Sequence, residues 1–251
     1  MTNKTTFYAL DFDGVLCDSA VETGLTGWKV ANIIWTDMPQ EIPDGMLDLF
    51  RQVRPVMETG YEAALIMRHL FEGVEPNTLL QSFDKHLRHL IRRDEIDVPR
   101  LKTRFGETRD IWISENPQEW LEMNPLFAGV ADKLNNIEHH NSAIITTKQE
   151  RFVSKILEAN NISFPAEHIY GLDRQLSKQQ VLTDLSASHP DHQIVFLEDR
   201  LPTLIKVLED KALQEVQLYF ANWGYNTLED KDVAEKTAEF TTLNLEQFQE
   251  L

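Results

Sequence analysis

Short apolar runs rich in β-branched residues recur along the chain, and helical patterns separate the later ones. The runs are TFYALDF (6–12), SAIITT (142–147), QIVFLED (193–199) and VQLYFAN (216–222). Segments with the apolar spacing of amphipathic helices lie between the last three runs, at 148–161, 177–188 and 201–213. Strands that alternate with helices in this way form βαβ units. The pattern therefore predicts an α/β fold, with a Rossmann-like parallel sheet flanked by helices.

The interval from about 18 to 124 has a different pattern. It contains several helical periodicities and no convincing strand, and the clearest of them lie at 44–53, 58–73, 75–93 and 98–113. We interpret this interval as an all-helical insertion after the first strand. The predicted division is a core domain of residues 1–17 and 124–251 and a helical cap of residues 18–123.

Composition narrows the class of protein. A chain of 251 residues, 42% of them hydrophobic, can bury a core, and no apolar stretch approaches the roughly 18 residues of a membrane span. The net charge of −17 repels phosphate polymers, so neither nucleic acid nor an anionic membrane is an expected partner. The start of the chain is too polar for a signal peptide, and the single cysteine, Cys17, fits a reducing compartment. These features predict a cytoplasmic protein.

A small anionic substrate would then need a local positive site, either a metal held by carboxylates or a few basic side chains. The basic segment KHLRHLIRRDE (85–95) carries leucines at helical spacing, so we expect it to be the solvated face of a helix.

Two aspartates stand at the end of the first apolar run, in YALDFDGVLCDS (8–19). Successive strand residues point to opposite faces, so Asp11 and Asp13 can point the same way while Phe12 enters the core. Like charges this close repel unless a cation or a shared proton holds them. A hard divalent cation such as Mg²⁺ is the simplest solution, and the ends of parallel strands are where open α/β sheets bind ligands.

These residues open a series of motifs that resembles the haloacid dehalogenase superfamily, a group of mostly Mg²⁺-dependent phosphatases. DFDGVLCDS is similar to its first motif, and AIITTK, LDRQLSKQQVL and IVFLEDRLPTL are similar to the second, third and fourth. NPLFAGVADKL and NWGYNT are similar to the phosphoglycolate-phosphatase-like branch. Four motifs in the right order make a specific signal. The resemblance covers about 1–17 and 124–251 and is only general across the insertion.

The resemblance implies a role for each motif residue. Asp11 would be the nucleophile that forms an aspartyl-phosphate, and Asp13 would serve as general acid and then as base. Thr146 would bind the phosphoryl group, with Thr147 beside it, and Lys178 would hold the phosphate and Asp11 together.

The resemblance also implies a Mg²⁺ site formed by Asp11, Asp13, Glu198 and Asp199, with Asp13 contributing its main-chain carbonyl. One departure affects this site. The family often has a second acid a few residues after the aspartate of its fourth motif, whereas Asp199 is followed by RLPTL. We expect Glu198 to supply the missing charge.

The expected function is a Mg²⁺-dependent phosphatase that hydrolyses a small anionic phosphorylated metabolite. Two alternatives stay open, a sugar-phosphate mutase of the same fold and a non-catalytic regulatory or binding protein. Dehalogenation fits less well, because that branch of the family works without Mg²⁺ and does not need Asp13. Taken singly, Thr146, Lys178 and the Glu198–Asp199 pair also have structural interpretations, as a strand end, a solvated helix start and a helix N-terminal pair.

Substrate specificity is assigned to Arg54, in RPVMETGYE (54–62). Pro55 suits the first position of a helix, and the residue before a proline disfavours helical backbone angles. Arg54 should therefore lie just outside the N-terminus of a helix. There its guanidinium could bind a second anionic group of the substrate. The equally weighted alternative is a surface ion pair with Glu58 or Glu62.

Overall fold

The computed structural model describes residues 4–251 and divides the chain into two compact units. One unit contains the residues up to Asp18 and Leu126–Leu251, and we call it the sheet unit. The other contains Ser19–Pro125, and we call it the helical unit. Among the described residues, no helix has both the length and the apolar character needed to cross a bilayer.

The sheet unit is built on a parallel sheet. Within residues 4–251 its six strands are β1 (Thr5–Leu10), β2 (Ser142–Ile145), β3 (Ile169–Tyr170), β4 (His192–Glu198), β5 (Gln217–Ala221) and β6 (Phe240–Leu243). Their order across the sheet is β3-β2-β1-β4-β5-β6, and all neighbours pair in parallel. The predicted α/β fold with a Rossmann-like sheet is confirmed, although β3 and β6, the two edge strands, were not predicted.

Helices account for the rest of the regular structure. Those of the helical unit are α1 (Ala20–Ile34), α2 (Met46–Val53), α3 (Glu62–Phe71), α4 (Pro76–Arg93), α5 (Val98–Glu115) and α6 (Pro117–Glu122). Those of the sheet unit are α7 (Val130–Asn136), α8 (Glu150–Ala159), α9 (Lys178–Ser188), α10 (Leu201–Leu208), α11 (Leu228–Lys236) and α12 (Leu245–Glu250). The expected solvated face is confirmed on α4, where Leu87 and Leu90 are buried and the neighbouring Lys85 and Arg88 are exposed.

The path of the chain through the sheet creates a ligand-binding position. After β1 the chain adds β2 and β3 on one side, and then returns to place β4 on the other side of β1. The direction of winding therefore changes between β1 and β4. In open α/β sheets, ligands bind outside the carboxyl ends of the strands at such a switch point.

Candidate active site

Three buried carboxylates meet at the carboxyl ends of β1 and β4. Asp11 directly follows β1, Glu198 is the last residue of β4, and Asp199 follows it. The side chains offer oxygens that all lie within 4.8 Å of one another. The residues are only 6%, 1% and 3% exposed, respectively. The backbone fixes this arrangement, because β1 and β4 pair directly and the Asp11 N–H donates to the Leu197 carbonyl at 2.9 Å.

Burial changes how readily each of these acids ionises. Burial raises the pKa of Asp11, and the charge of Glu198 raises it further, while Lys178 acts in the opposite direction. Burial also disfavours the charged form of Glu198, but Lys178 outweighs this and holds the pKa of Glu198 below its usual value. Asp11 and Glu198 therefore share the ammonium group of Lys178, which favours the ionisation of Glu198 more than that of Asp11.

Lys178 bridges the two strand ends. Its Nζ lies 2.7 Å from Asp11 Oδ1 and 2.6 Å from Glu198 Oε2. Burial alone would lower the pKa of Lys178, but the charges of Asp11 and Glu198 raise it above its usual value. Lys178 is the first residue of α9, where a capping box between Ser177 and Gln180 sets the start of the helix. The third sequence motif thus brings its lysine to the first and fourth motifs.

The loop after β2 brings Thr146 to the same end of the sheet. Thr146 is buried, its N–H donates to the Tyr170 carbonyl at 2.9 Å, and its Oγ1 accepts the Lys148 N–H at 3.1 Å. The next residue, Thr147, is half-buried. Both threonines therefore follow β2, a direct neighbour of β1, at the carboxyl ends of the strands where the carboxylates lie.

Asp13 has a basic partner that the sequence analysis missed. Its Oδ1 accepts from Lys148 Nζ at 2.8 Å. The Asp13 side chain is 15% exposed, whereas that of Lys148 is only 1% exposed. Lys148 stands two residues after Thr146, and this spacing, like that of Asp11 and Asp13, could have suggested that both side chains reach one site.

The loop after β5, which carries the NWGYNT segment, holds Asp199. The Tyr225 N–H donates to Asp199 Oδ2 at 2.6 Å, and Asn226 Nδ2 donates to the Asp199 carbonyl at 3.2 Å. A Cβ at Gly224 would overlap the Cβ of Asp199 and crowd the carbonyl of Gly14. Glycine is therefore required for this approach, and the loop orients the carboxylate.

The donor set suits a hard divalent cation. Asp11, Glu198 and Asp199 offer only carboxylate oxygens, which Mg²⁺ prefers. When all are ionised, these acids and Lys178 together carry a charge of −2, the sum of three negative charges and one positive charge, which a divalent cation would neutralise. The carboxylate of Asp13 is not part of this group and contacts Lys148 instead. The predicted contribution of Asp13 to a metal would come from its main chain.

The conformation predicted for Arg54 is wrong. Its backbone is helical, with φ −49° and ψ −36°, and it caps the C-terminus of α2 while starting a single 3₁₀ turn, Arg54–Val56. The preference against a helical residue before proline is overridden here, because the continuing turn buries the side chain and lets Nη1 donate to the Met57 carbonyl at 3.4 Å. The anion site predicted at Arg54 depended on the dipole of a helix, and a single 3₁₀ turn has only a small dipole.

Comparison with known proteins gives similarity in structure only. No protein-family model and no curated protein sequence matches the chain. A predicted phosphatase from Clostridium acetobutylicum superposes with a TM-score of 0.59 at 14% identity, over 99% of this chain and 98% of that chain. A predicted phosphoglycolate phosphatase from Haemophilus somnus superposes with a TM-score of 0.55 at 16% identity, over 90% of this chain and 89% of the other.

A third solved structure carries the family description itself. A hydrolase of the haloacid dehalogenase-like family from Streptococcus pneumoniae superposes with a TM-score of 0.50 at 16% identity, over 96% of this chain and 95% of the other. This chain has the haloacid dehalogenase-like fold. The structural match extends through the helical interval, which the sequence motifs left undefined, because it covers nearly the full length of both chains.

Proposed function

We propose that this protein is a Mg²⁺-dependent phosphatase that acts on a small phosphorylated metabolite through an aspartyl-phosphate intermediate. The observation that carries the proposal is the position of Asp11. It lies 2.7 Å from Lys178 Nζ, inside a buried group of carboxylates at the switch point of the sheet. A buried group with more acids than basic side chains costs stability and is typical of a functional site, and phosphatases are among the structural neighbours.

The proposed reaction has two displacements. An Asp11 carboxylate oxygen attacks phosphorus, the bond from phosphorus to the ester oxygen breaks, and the leaving oxygen takes the carboxyl proton of Asp13. A water then attacks the aspartyl-phosphate and gives a proton to the Asp13 carboxylate, while the bond from phosphorus to the Asp11 oxygen breaks. The products are the alcohol and inorganic phosphate, and both aspartates return to their starting forms.

Charge neutralisation is what makes attack by a carboxylate on a phosphate dianion feasible. In this proposal Asp11, Glu198 and Asp199 hold Mg²⁺ with their side chains, and Asp13 adds its main-chain carbonyl. Bound Mg²⁺ would supply positive charge against the phosphoryl oxygens. Lys178 adds a second positive charge next to the nucleophile.

Binding of the phosphoryl group is assigned to Thr146, Thr147 and Lys178. Arg54 is kept as the candidate for the substrate's non-reacting end, with the support of its charge alone. If it binds a second anionic group, Arg54→Ala should cost about 1.5–3 kcal/mol in kcat/KM for a substrate with that second anionic group, and an aryl phosphate whose tail is neutral should be hardly affected. Equal losses on both substrates would remove it from the site.

The deciding experiment is a screen of phosphorylated metabolites with Mg²⁺, scored by release of inorganic phosphate, with Asp11→Asn as the inactive control. Release that depends on Asp11 supports the phosphatase. An isomeric product that keeps its phosphate would indicate a sugar-phosphate mutase. Saturable binding without turnover of any compound would indicate a binding protein.

A further inference from the structure

Each of the two motif aspartates contacts its own lysine. Lys178 contacts Asp11 and also Glu198, so it belongs to the metal-binding group. Lys148 contacts Asp13, whose carboxylate lies outside that group. We propose that Lys148 is a positioning residue that orients the Asp13 carboxylate for its proton transfers, an inference that rests on the proposed phosphatase function.

The two side chains differ in their exposure. Asp13 retains 15% of its side-chain surface, whereas Lys148 retains only 1%. The lysine is therefore more deeply buried than the carboxylate that it contacts. We assign contact with the reacting groups to Asp13, and Lys148 acts on them through Asp13.

The backbone of Lys148 is held from two directions. Its N–H donates to Thr146 Oγ1 at 3.1 Å, and its carbonyl accepts the Leu172 N–H at 3.1 Å. Gly171 packs so closely that a Cβ there would lie 2.5 Å from this carbonyl oxygen. The Gly171 N–H donates in turn to Glu150 on α8, at 3.0 Å. A lysine fixed in this way defines the position of its partner better than a lysine on a mobile surface would.

The chemistry gives this contact a specific consequence. In the first displacement the Asp13 proton moves to the leaving oxygen as its bond to phosphorus breaks. An alkoxide needs that proton, whereas para-nitrophenolate is stable as an anion and leaves without it. A residue that orients Asp13 should therefore affect kcat/KM for alkyl phosphates and have little effect on kcat/KM for para-nitrophenyl phosphate, because kcat/KM reports the first displacement and the second displacement is common to both substrates.

The test compares Lys148→Met with Lys155→Met, a change of an exposed lysine on α8. For Lys148→Met we expect kcat/KM to fall about 10–100-fold on the best alkyl phosphate from the screen and less than about threefold on para-nitrophenyl phosphate. Lys155→Met should match the wild type on both substrates. The rise in melting temperature with Mg²⁺ should persist in Lys148→Met, because Lys148 contacts the side chain of Asp13, whereas only the main chain of Asp13 is assigned to the metal.

Equal losses of Lys148→Met on both substrates, or no loss on either, would overturn the inference while the phosphatase activity of the wild type still stood. A wild type that releases no phosphate from any compound would instead overturn the proposed function. If Lys148→Met does not fold, Lys148→Gln retains a donor near Asp13 and should show the same preference with a smaller loss. A Lys148→Gln variant that loses activity equally on both substrates would also contradict the proposal.

Discussion

Both units of the protein bury charged side chains, but they balance the charges differently. In the helical unit, Glu22 on α1 is fully buried and pairs with Arg109 on α5. Arg109 Nε and Nη2 donate to the two Glu22 oxygens at 2.7 and 2.6 Å. Thr26 Oγ1 and Trp120 Nε1 donate to Oε1 as well, at 2.7 and 3.2 Å. This pair is neutral, and its carboxylate accepts four hydrogen bonds from its own unit.

In the sheet unit, Asp11 and Glu198 both contact the ammonium group of Lys178, and Asp199 lies in the same group of buried acids. The summed negative charge of the three acids exceeds the positive charge of Lys178. The pKa of Asp11 rises as a result of burial and of the charge of Glu198. The comparison teaches that burial of charge alone does not mark a functional site. A pair that its own unit satisfies serves to join α1 to α5 and α6, whereas a group with charge left over is suited to a ligand.

The largest expected effect lies at the nucleophile. Asp11→Asn should reduce kcat on the order of 10⁴-fold or more, because the amide keeps the shape but cannot attack phosphorus. The melting temperature without metal should not fall, since the change removes a buried charge from an excess of negative charge. Phosphate release and thermal unfolding measure these two effects. Appreciable turnover by this variant would show that the proposed mechanism is wrong.

Breaking the balanced pair should cost stability instead. Glu22→Gln leaves the buried Arg109 charge without its counter-charge, and we expect a loss of about 3–5 kcal/mol in the free energy of unfolding of the helical unit. Urea unfolding followed by tryptophan fluorescence suits this test, since four of the five tryptophans, Trp28, Trp35, Trp112 and Trp120, lie in that unit.

The matched control is Asp232→Asn, which breaks an exposed ion pair with Lys236 on α11. It should leave the unfolding midpoint unchanged, because exposed pairs of this kind contribute little. Equal effects of the two substitutions would mean that burial does not distinguish the pairs.

Metal should act on the unbalanced group alone. Mg²⁺ at a hundredfold excess over its Kd should stabilise the native protein by about 2.7 kcal/mol, and chelator should reverse this and abolish activity. Ca²⁺ should support turnover poorly, because it is larger and coordinates irregularly. The same rise in melting temperature is expected in Asp232→Asn. Full activity in chelator would contradict the metal site.

The smallest expected effect comes from the loop that orients Asp199. Gly224→Ala forces a Cβ against Asp199, and we expect Mg²⁺ affinity to fall about tenfold, as for other residues that orient a metal ligand. Isothermal titration with Mg²⁺ measures this without relying on activity. Leu228→Ala, at a side chain that is 85% exposed on α11, is the control. An unchanged affinity in Gly224→Ala would show that the carboxylate tolerates a displaced loop.

Periodicity predicted the centre of the sheet better than its edges. The four inner strands β2, β1, β4 and β5 follow from their apolar runs, whereas β3 has only two residues and β6 reads FTTL, so neither gives a clear pattern. Helix α1 was also missed. It contains Gly24 and Gly27, which lower helix propensity, and a Cβ at Gly27 would lie 2.7 Å from the Ala63 backbone. Close packing on α3 explains the glycine, and no local pattern reveals that packing.

The candidate site shows the same limit. The resemblance of the motifs to a known family pointed to Asp11, Lys178 and Asp199, and the fold brings these residues to one place. Lys148 was missed because its partner Asp13 lies 135 residues away along the chain. The backbone conformation of Arg54 was predicted wrongly, because a general preference before proline yields to the local packing of one turn. Contacts between residues that are far apart along the chain depend on the order of the strands in the sheet, and the sequence alone does not determine that order.

The position of the helical unit within the chain also has a consequence during synthesis. Strand β1 is translated first, but its neighbours β2 and β4 come only after all of Ser19–Pro125. Synthesis of Ser19–Pro125 alone takes about 5–20 s at ribosomal rates. Strand β1, which lies at the centre of the completed sheet, therefore has no neighbouring strand to pair with while the whole helical unit leaves the ribosome. Asp11 and Asp13 follow β1 and lack their partners for the same time. Chaperone contact with nascent chains should be strongest in this interval, and it should end once β4 has left the ribosome.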